Sequence, residues 1–468
     1  MILVIEKTKR ERGRSGHEVK RMTRPDIVVK TREGLAKLII KKITITVDMV
    51  RNWSLVIGVF AFVMTCNGVE ARPNPPDGKW GFFGHKRINR LAVFTLPPEM
   101  MVFYKKNIEY VTEHAVDPDK RRYATKHEGA RHYIDLDRYG KMPFDNLPRD
   151  WNTALMYYTD WIWKNTSGDT VRICKAEFLR NSKDSVCLEG KWNGKKVRRV
   201  ISVAKYKPFF LRNFVYKYYD DEIVSPVDSF NALFGITLPP GVIEPEDHLS
   251  EHGVNPYNLT SMFAKLVTAF KERDHKQILK LSTEFGHYVG DAHVPLHTCS
   301  NYNGQLTGQD GIHGFWESRI PELFADLEYD ALVGSAVYIK KPNEYFWKIV
   351  FDSHAFVDSV LAIEKRLSQT YPTDQQYCQA ERLGLVVRAQ CPEYAKEYEV
   401  QMDGMIEDRW RASIHTIGSL WYTAWVDAGQ PDMSKPGVIE WTDAEKKAME
   451  EEEKKYRAGK IKGRPHDD

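Results

Sequence analysis

Two histidine–carboxylate pairs constrain this chain more than anything else in it. Residues 286–298 read GHYVGDAHVPLHT, and residues 311–317 read GIHGFWE. His287 and Asp291 are four residues apart, and so are His313 and Glu317. On a helix that spacing stacks two side chains on one face, a turn apart. Each pair then presents an imidazole nitrogen beside a carboxylate oxygen, a donor set that suits zinc. His297 lies between the pairs. Two such pairs with His297 between them make a site for several metals the leading reading.

The pattern around these pairs is helical. Ile88, Leu91 and Ala92 keep a helical period after His85, and Pro97-Pro98 opens a helix over about Glu99–Val111. Leu259–Phe270 is amphipathic. Asp274 is placed to cap the next helix, whose stripe is Ile278, Leu281, Phe285 and Val289, and Pro295 ends it. Another helix is predicted over Ile406–Trp425. One stretch breaks the pattern: within an insertion at about 165–217, residues 186–206 place Asn193-Gly194 between β-prone runs, a hairpin signal. That stretch is basic, with Trp192, Tyr206, Phe209 and Phe210 nearby. Two readings compete for it: a patch that meets anionic lipid or nucleic-acid backbone, and a solvated surface insertion, the plainer and favoured one. The expected fold is therefore mainly α, a single multi-helix domain with a small β-hairpin insertion. Residues 435–468, rich in Lys and Glu, read as a solvated charged tail.

The N-terminus reads as a leader. Residues 1–48 show no sustained periodicity and read as an upstream mis-start. From Met49 a short basic region precedes the apolar run Ser54–Cys66, and Val69-Glu70-Ala71 fits a small-x-small cleavage site. The expectation is a signal peptide over 49–71 and a linker over 72–79, hence a secreted or periplasmic (envelope) protein. A lipoprotein anchor at Cys66 is disfavoured by Thr65 before it. No run reaches the roughly 18 apolar residues of a membrane-crossing helix. Residues 1–71 carry 14 Lys and Arg against 7 Asp and Glu, net +7, so of the chain's +4 the remainder, 72–468, holds −3. Such a balance gives no global basic field for duplex nucleic acid. Past the leader, Cys174 and Cys187 are thirteen residues apart, as are Cys378 and Cys391; each gap fits a loop disulfide or two free thiols. Cys299 reads as a buried apolar residue.

Further donors lie upstream. WGFFGH runs from Trp80 to His85, and HAVDPDKRRYATKHEGARHYIDL holds Asp117 and, fifteen residues on, His132. With the two downstream pairs, these residues resemble the ligand pattern of the zinc-dependent phospholipase C and single-strand-specific zinc nuclease superfamily. The likeness covers roughly residues 80–430 as an ordering of motifs. It implies a phospholipase C/zinc-nuclease-like helical domain holding up to three zinc ions. By the resemblance, Asp117, His132, His287 and Asp291 hold the first ion. His297, His313 and Glu317 hold the second; Trp80, His85 and a shared, bridging Asp291 hold the third. Asp119 is a rival to Asp117, which is preferred for its spacing to His132. Asp117 and Asp291 carry the catalytic roles, Asp117 by orienting a water. His293 reads as structural. Arg319 reads as a surface ion pair, with a phosphate contact as the alternative. In the family the tryptophan is the mature N-terminus; here Arg72–Lys79 would precede Trp80, and an amide nitrogen is a very poor ligand.

The implied chemistry is metal-assisted phosphodiester hydrolysis. Glu317 and the sixteen-residue gap from His297 to His313 are nearer the phospholipases, while the short Trp80–His85 and Asp117–His132 gaps are nuclease-like. The expectation leans to a secreted phospholipase C-like phosphodiesterase acting on phospholipid. A single-strand nuclease is the alternative, with single-stranded nucleic acid as substrate. A non-catalytic, metal-stabilised binding protein is the third reading.

Overall fold

A computed structural model describes residues 82–122, 125–166, 170–192, 194–220, 222–382 and 385–458. Trp80, the expected mis-start, leader and linker, and the end of the charged tail lie outside the described residues.

The body is helical. Helix α1 (Phe82–Ala92) is followed, after two short helices, by the five-residue α2 (Asp117–Arg121). Helices α3 (Asn255–Glu272) and α4 (His275–His293) pack side by side, and α5 (Met405–Asp427) crosses α4. Asp274 caps α4 by accepting from the Gln277 amide at 3.0 Å. From Ser282 to His293 every residue of α4 is buried. A helix surrounded on all sides runs through an interior rather than over a surface. The helix expected over Glu99–Val111 is broken at Asn107, whose side chain turns back to the Phe103 carbonyl at 2.9 Å.

The expected mainly α fold with a small hairpin needs correction. The hairpin is one edge of a six-stranded antiparallel sheet, so the protein is mixed α and β. The strands are β1 (Thr159–Asn165), β2 (Thr170–Cys174), β3 (Ser185–Trp192), β4 (Lys195–Ser202), β5 (Ser225–Pro226) and β6 (Gly241–Asp247), in the order β4-β3-β2-β1-β6-β5. The middle of the sheet pairs β1 with β6, Trp161 opposite Pro245, across some eighty residues of sequence. Trp161 is fully buried and donates to Tyr206 at 2.6 Å, on the helix Val203–Asn213 that covers this face. A second hairpin joins β7 (Tyr377–Arg382) to β8 (Leu385–Gln390).

Two apolar cores result. The larger joins the helical body to the sheet. The smaller gathers Leu296, Phe315, Trp316, Tyr394 and Tyr398. The two histidine motifs fall on either side of this division. His287 and Asp291 sit on a helix of the larger core, while His297, His313 and Glu317 belong to segments packed on the smaller. The charged tail is docked in part: in the helix Asp443–Ala458, Glu445 takes Lys276 at 2.7 Å, Glu453 takes Lys120 at 3.3 Å, and Tyr456 is buried. Among the described residues no helix is long and apolar enough to cross a membrane, and Cys174, Cys187, Cys299, Cys378 and Cys391 are in no disulfide.

Candidate metal centre

Six segments deliver the donors. His85 comes from α1, Asp119 from α2, His132 from a 3-10 turn (Gly129–His132), His287 and Asp291 from the last turns of α4, and His297 from the 3-10 turn Pro295–Thr298. His313 and Glu317 come from the turn and π-helical stretch over Ile312–Arg319. The approach of α1 to α4 depends on Gly290. A Cβ there would lie 2.7 Å from Ile88 Cδ1 and 3.0 Å from His85 Nδ1.

Four donor atoms form a tight group. His287 Nε2 lies 3.1 Å from His132 Nδ1, 3.4 Å from Asp291 Oδ2 and 3.6 Å from Asp119 Oδ1. His132 Nδ1 is 3.0 Å from Asp291 Oδ2 and 3.8 Å from Asp119 Oδ1. Donors about 2.0–2.2 Å from one ion at tetrahedral angles stand roughly 3.3–3.6 Å apart, and these edges scatter around that length. The second group is His297, His313 and Glu317: Oε2 of Glu317 is 2.8 Å from His313 Nε2 and 3.2 Å from His297 Nε2. Asp291 joins the groups. Its Oδ2 faces His132 and His287, while its Oδ1 is 3.2 Å from His85 Nε2 and 3.9 Å from His297 Nε2. His85 Nε2 also meets Glu317 Oε1 at 3.3 Å, so it stands between the two carboxylates.

The surroundings prepare these atoms for a cation. His287 Nδ1 donates to the Ala115 carbonyl at 2.9 Å, and His297 Nδ1 to the His132 carbonyl at 2.8 Å. Each bond turns Nε2 toward the centre, the usual second contact of a metal-binding histidine. Burial, with the neighbouring His85 charge, pushes His287 down to about 3, so its imidazole is neutral near pH 7. Burial alone would raise Asp291 and Glu317, but the surrounding histidines outweigh it and hold both carboxyls well below their usual range. Burial would likewise lower His85, but its bonds to Asp291 and Glu317 lift it well above its ordinary value. His287 Nε2 and His132 Nδ1, 3.1 Å apart and both beside Asp291 Oδ2, converge on one point where a cation could take both nitrogens. The donors fit a metal: the buried groups His85–His287–Asp291, Asp119–His132–His287 and His297–His313–Glu317 can each hold one.

The sequence-predicted residues converge with exceptions. His85, His132, His287, Asp291, His297, His313 and Glu317 come together. Asp117 does not; its carboxylate pairs with His114 Nδ1 at 2.6 Å and Lys120 Nζ at 3.3 Å. Asp119 takes its place, because two positions along a helix turn a side chain by about 200°. Trp80 lies outside the described residues. Arg319 is buried rather than on the surface, and its Nε donates to the Gln390 carbonyl at 3.1 Å. His293 donates to the Val289 carbonyl at 2.8 Å and faces Thr416, away from the donors.

Sequence reasoning missed the groups that brace the centre. Buried Glu128 accepts from Tyr288 on α4, takes Arg131 at 2.9 Å, and faces Arg121 Nε at 3.6 Å. Arg121 in turn grips Glu284 of α4 through two bonds of 2.8 and 3.0 Å. One carboxylate thus ties together α2, the His132 turn and α4. Arg122, also buried, brings its guanidinium to 3.9 Å from Asp119 Oδ1, and its charge helps lower Asp119 and His313. The only sequence signal for these residues was the basic run Lys120–Arg122 beside DPD.

No protein-family model matches the chain, and no curated protein matches it significantly.

Proposed function

We propose that this protein is a secreted, zinc-dependent phosphodiesterase of the phospholipase C kind, with the resemblance to that superfamily extended to its activity. The observation that carries the reading is Asp291, whose two carboxylate oxygens face two separate sets of donors. Structural zinc sites are usually closed and four-coordinate, often with cysteine. This centre has no cysteine among its donors and shares one carboxylate between groups, the plan of a hydrolytic multi-metal site. Bound divalent ions supply charge neutralisation and a hydroxide nucleophile at neutral pH. The chain's own part is to hold His287 and His297 in one tautomer, to offer the two oxygens of Asp291 to two donor groups that would each hold an ion, and to set the guanidinium of Arg122 beside Asp119. A guanidinium there suits an anionic phosphate.

A neighbouring groove supports lipid over nucleic acid. It measures about 880 Å³ and runs along the turn that carries His132, with Tyr133, Trp151, Tyr218 and Tyr257 in its walls. Five acids line it (Asp220, Glu222, Glu244, Asp247 and Glu251) against Lys126 and Arg131. That excess of negative charge repels a phosphate backbone, whereas aromatic faces with carboxylates suit a quaternary ammonium headgroup.

The test is metal analysis with hydrolysis of bis-p-nitrophenyl phosphate, then phosphatidylcholine and single-stranded DNA side by side. The expected result is bound zinc, chelator-sensitive hydrolysis and preference for phosphatidylcholine. Hydrolysis that survives both chelation and Asp291→Asn overturns metal catalysis; preference for DNA moves the assignment to the nuclease reading.

A further inference from the structure

We propose that the β4 edge of the sheet, with the helix that follows it, docks the protein onto an anionic lipid bilayer. The observation is a separation of charge. Residues 185–217 carry nine Lys and Arg (191, 195, 196, 198, 199, 205, 207, 212 and 217) against the single acid Glu189, net +8. Residues 72–468 together hold −3, so everything outside this stretch holds −11. The structure puts the stretch at one end of the sheet, in β3, the edge strand β4 and the helix packed on them. Eight of the nine cations are exposed.

The charges ring an edge. In the β3–β4 pairing, Lys191 stands opposite Lys196 and Glu189 opposite Arg198, so Lys196 and Arg198 project from one face of the sheet. Lys195 and Arg199 project from the other. Like charges directly opposite each other destabilise a hairpin, so the Lys191–Lys196 pair is a repulsion that an external anion would relieve. Among the described residues, one ion pair touches these nine cations: Arg198 with Glu189, 3.3 Å and largely exposed.

The form of the patch selects the partner. Sequence-tolerant binding of single-stranded nucleic acid uses a basic groove with exposed aromatic platforms. Here the aromatics among the cations of the strands and the helix face inward: Trp192, Tyr206 and Phe210 are buried, and Phe209 packs edge-on against Phe230 at 4.9 Å, which leaves Tyr216, past the end of the helix, as a single exposed ring rather than a row of platforms. What remains outside is charge on a projecting strand, which suits the diffuse negative field of a membrane surface, and four to eight cations suffice for that. This docking surface extends the lipid reading of the metal centre but is read out without catalysis.

The experiment is co-sedimentation of the purified protein with vesicles of phosphatidylcholine alone or with added phosphatidylserine, at low and raised salt. A single-stranded oligonucleotide serves as competitor. The variants are Lys195→Gln/Lys196→Gln/Arg198→Gln/Arg199→Gln and, as an independent set, Lys205→Gln/Lys207→Gln/Arg212→Gln. Circular dichroism and hydrolysis of the soluble diester are checked on each. The expected result is binding that needs phosphatidylserine, falls with salt, and weakens on the order of a thousandfold in the four-site variant, with soluble-diester hydrolysis kept. Three results overturn the proposal. One is wild-type binding indifferent to phosphatidylserine. Another is unchanged binding by both folded variants. The third is displacement from vesicles by an oligonucleotide bound more tightly through the same residues. Loss of the soluble-diester activity in wild type would count against the metal-centre reading while leaving vesicle binding to be judged by itself. Variants that aggregate yet bind vesicles fully assign the lysines to guarding a free strand edge, which also overturns docking.

Discussion

Asp119 Oδ1 lies 3.6 Å from His287 Nε2, while Asp117, two residues before it, turns outward to His114 at 2.6 Å. The two acids differ in burial as well, Asp119 lying inside and Asp117 partly exposed. Asp119→Asn is expected to lower zinc content and to cut diester hydrolysis by at least the roughly ten- to hundredfold that losing even an outer-shell partner costs. Asp117→Asn is expected to keep both near wild type. Metal analysis and rate measurements on the two proteins decide the matter; equal losses would contradict the assignment.

Glu128 braces three ligand-bearing segments at once. Glu128→Gln keeps the shape and removes the charge that Arg121 and Arg131 share. The expected cost is about 1–3 kcal/mol of stability, with zinc held ten- to a hundredfold more weakly. Denaturant unfolding and competition with a metal chelator measure the two effects. Unchanged zinc affinity would show that the brace serves folding alone.

Gly290→Ala tests the closeness of α1 and α4. The added methyl meets Ile88 and the His85 ring. Overpacking of this kind costs about 1–3 kcal/mol, against a gain of up to about 1 kcal/mol from better helix propensity. The variant is expected to melt lower than wild type and to gain less from added zinc, since His85 is displaced. Calorimetry with and without zinc reads both.

Acid should weaken the fold through His293 independently of the metal. Burial, with Arg409 nearby, pushes His293 down to about 3. Its folded pKa therefore lies below the unfolded value near 6.5. Above pH 6.5 both states are neutral and nothing is lost. As pH falls from 6.5 toward 3, the unfolded chain takes a proton that the folded one refuses, and stability drops by up to about 1.4 kcal/mol per pH unit. His293→Gln should show a slope shallower by one proton between about pH 6 and 4, measured by denaturant titration. Parallel slopes would disprove it.

The centre was legible because its strongest donors come in local pairs on helices, where spacing fixes direction. His287–Asp291 and His313–Glu317 needed only a period, and Asp274 announced the start of the helix. The choice between Asp117 and Asp119 depended on which side of α2 faces inward, which two acids around Pro118 leave open. The sheet was mostly hidden for a different reason. The Asn193-Gly194 turn marks one hairpin, but β1 finds its partner in β6, where Glu244, Pro245 and Glu246 do not read as a strand. Pairing over such a distance leaves no local trace. Glu128 and Arg122 were invisible because nothing in their neighbourhood tells a buried charge from a solvated one.

Asp291 turns one oxygen toward each side of the centre, although each side also keeps donors of its own. Whatever fixes that carboxylate from one side fixes it for the other, so the two halves would not fill as strangers: uptake of a cation by one would be written into the charge and posture that the next one meets.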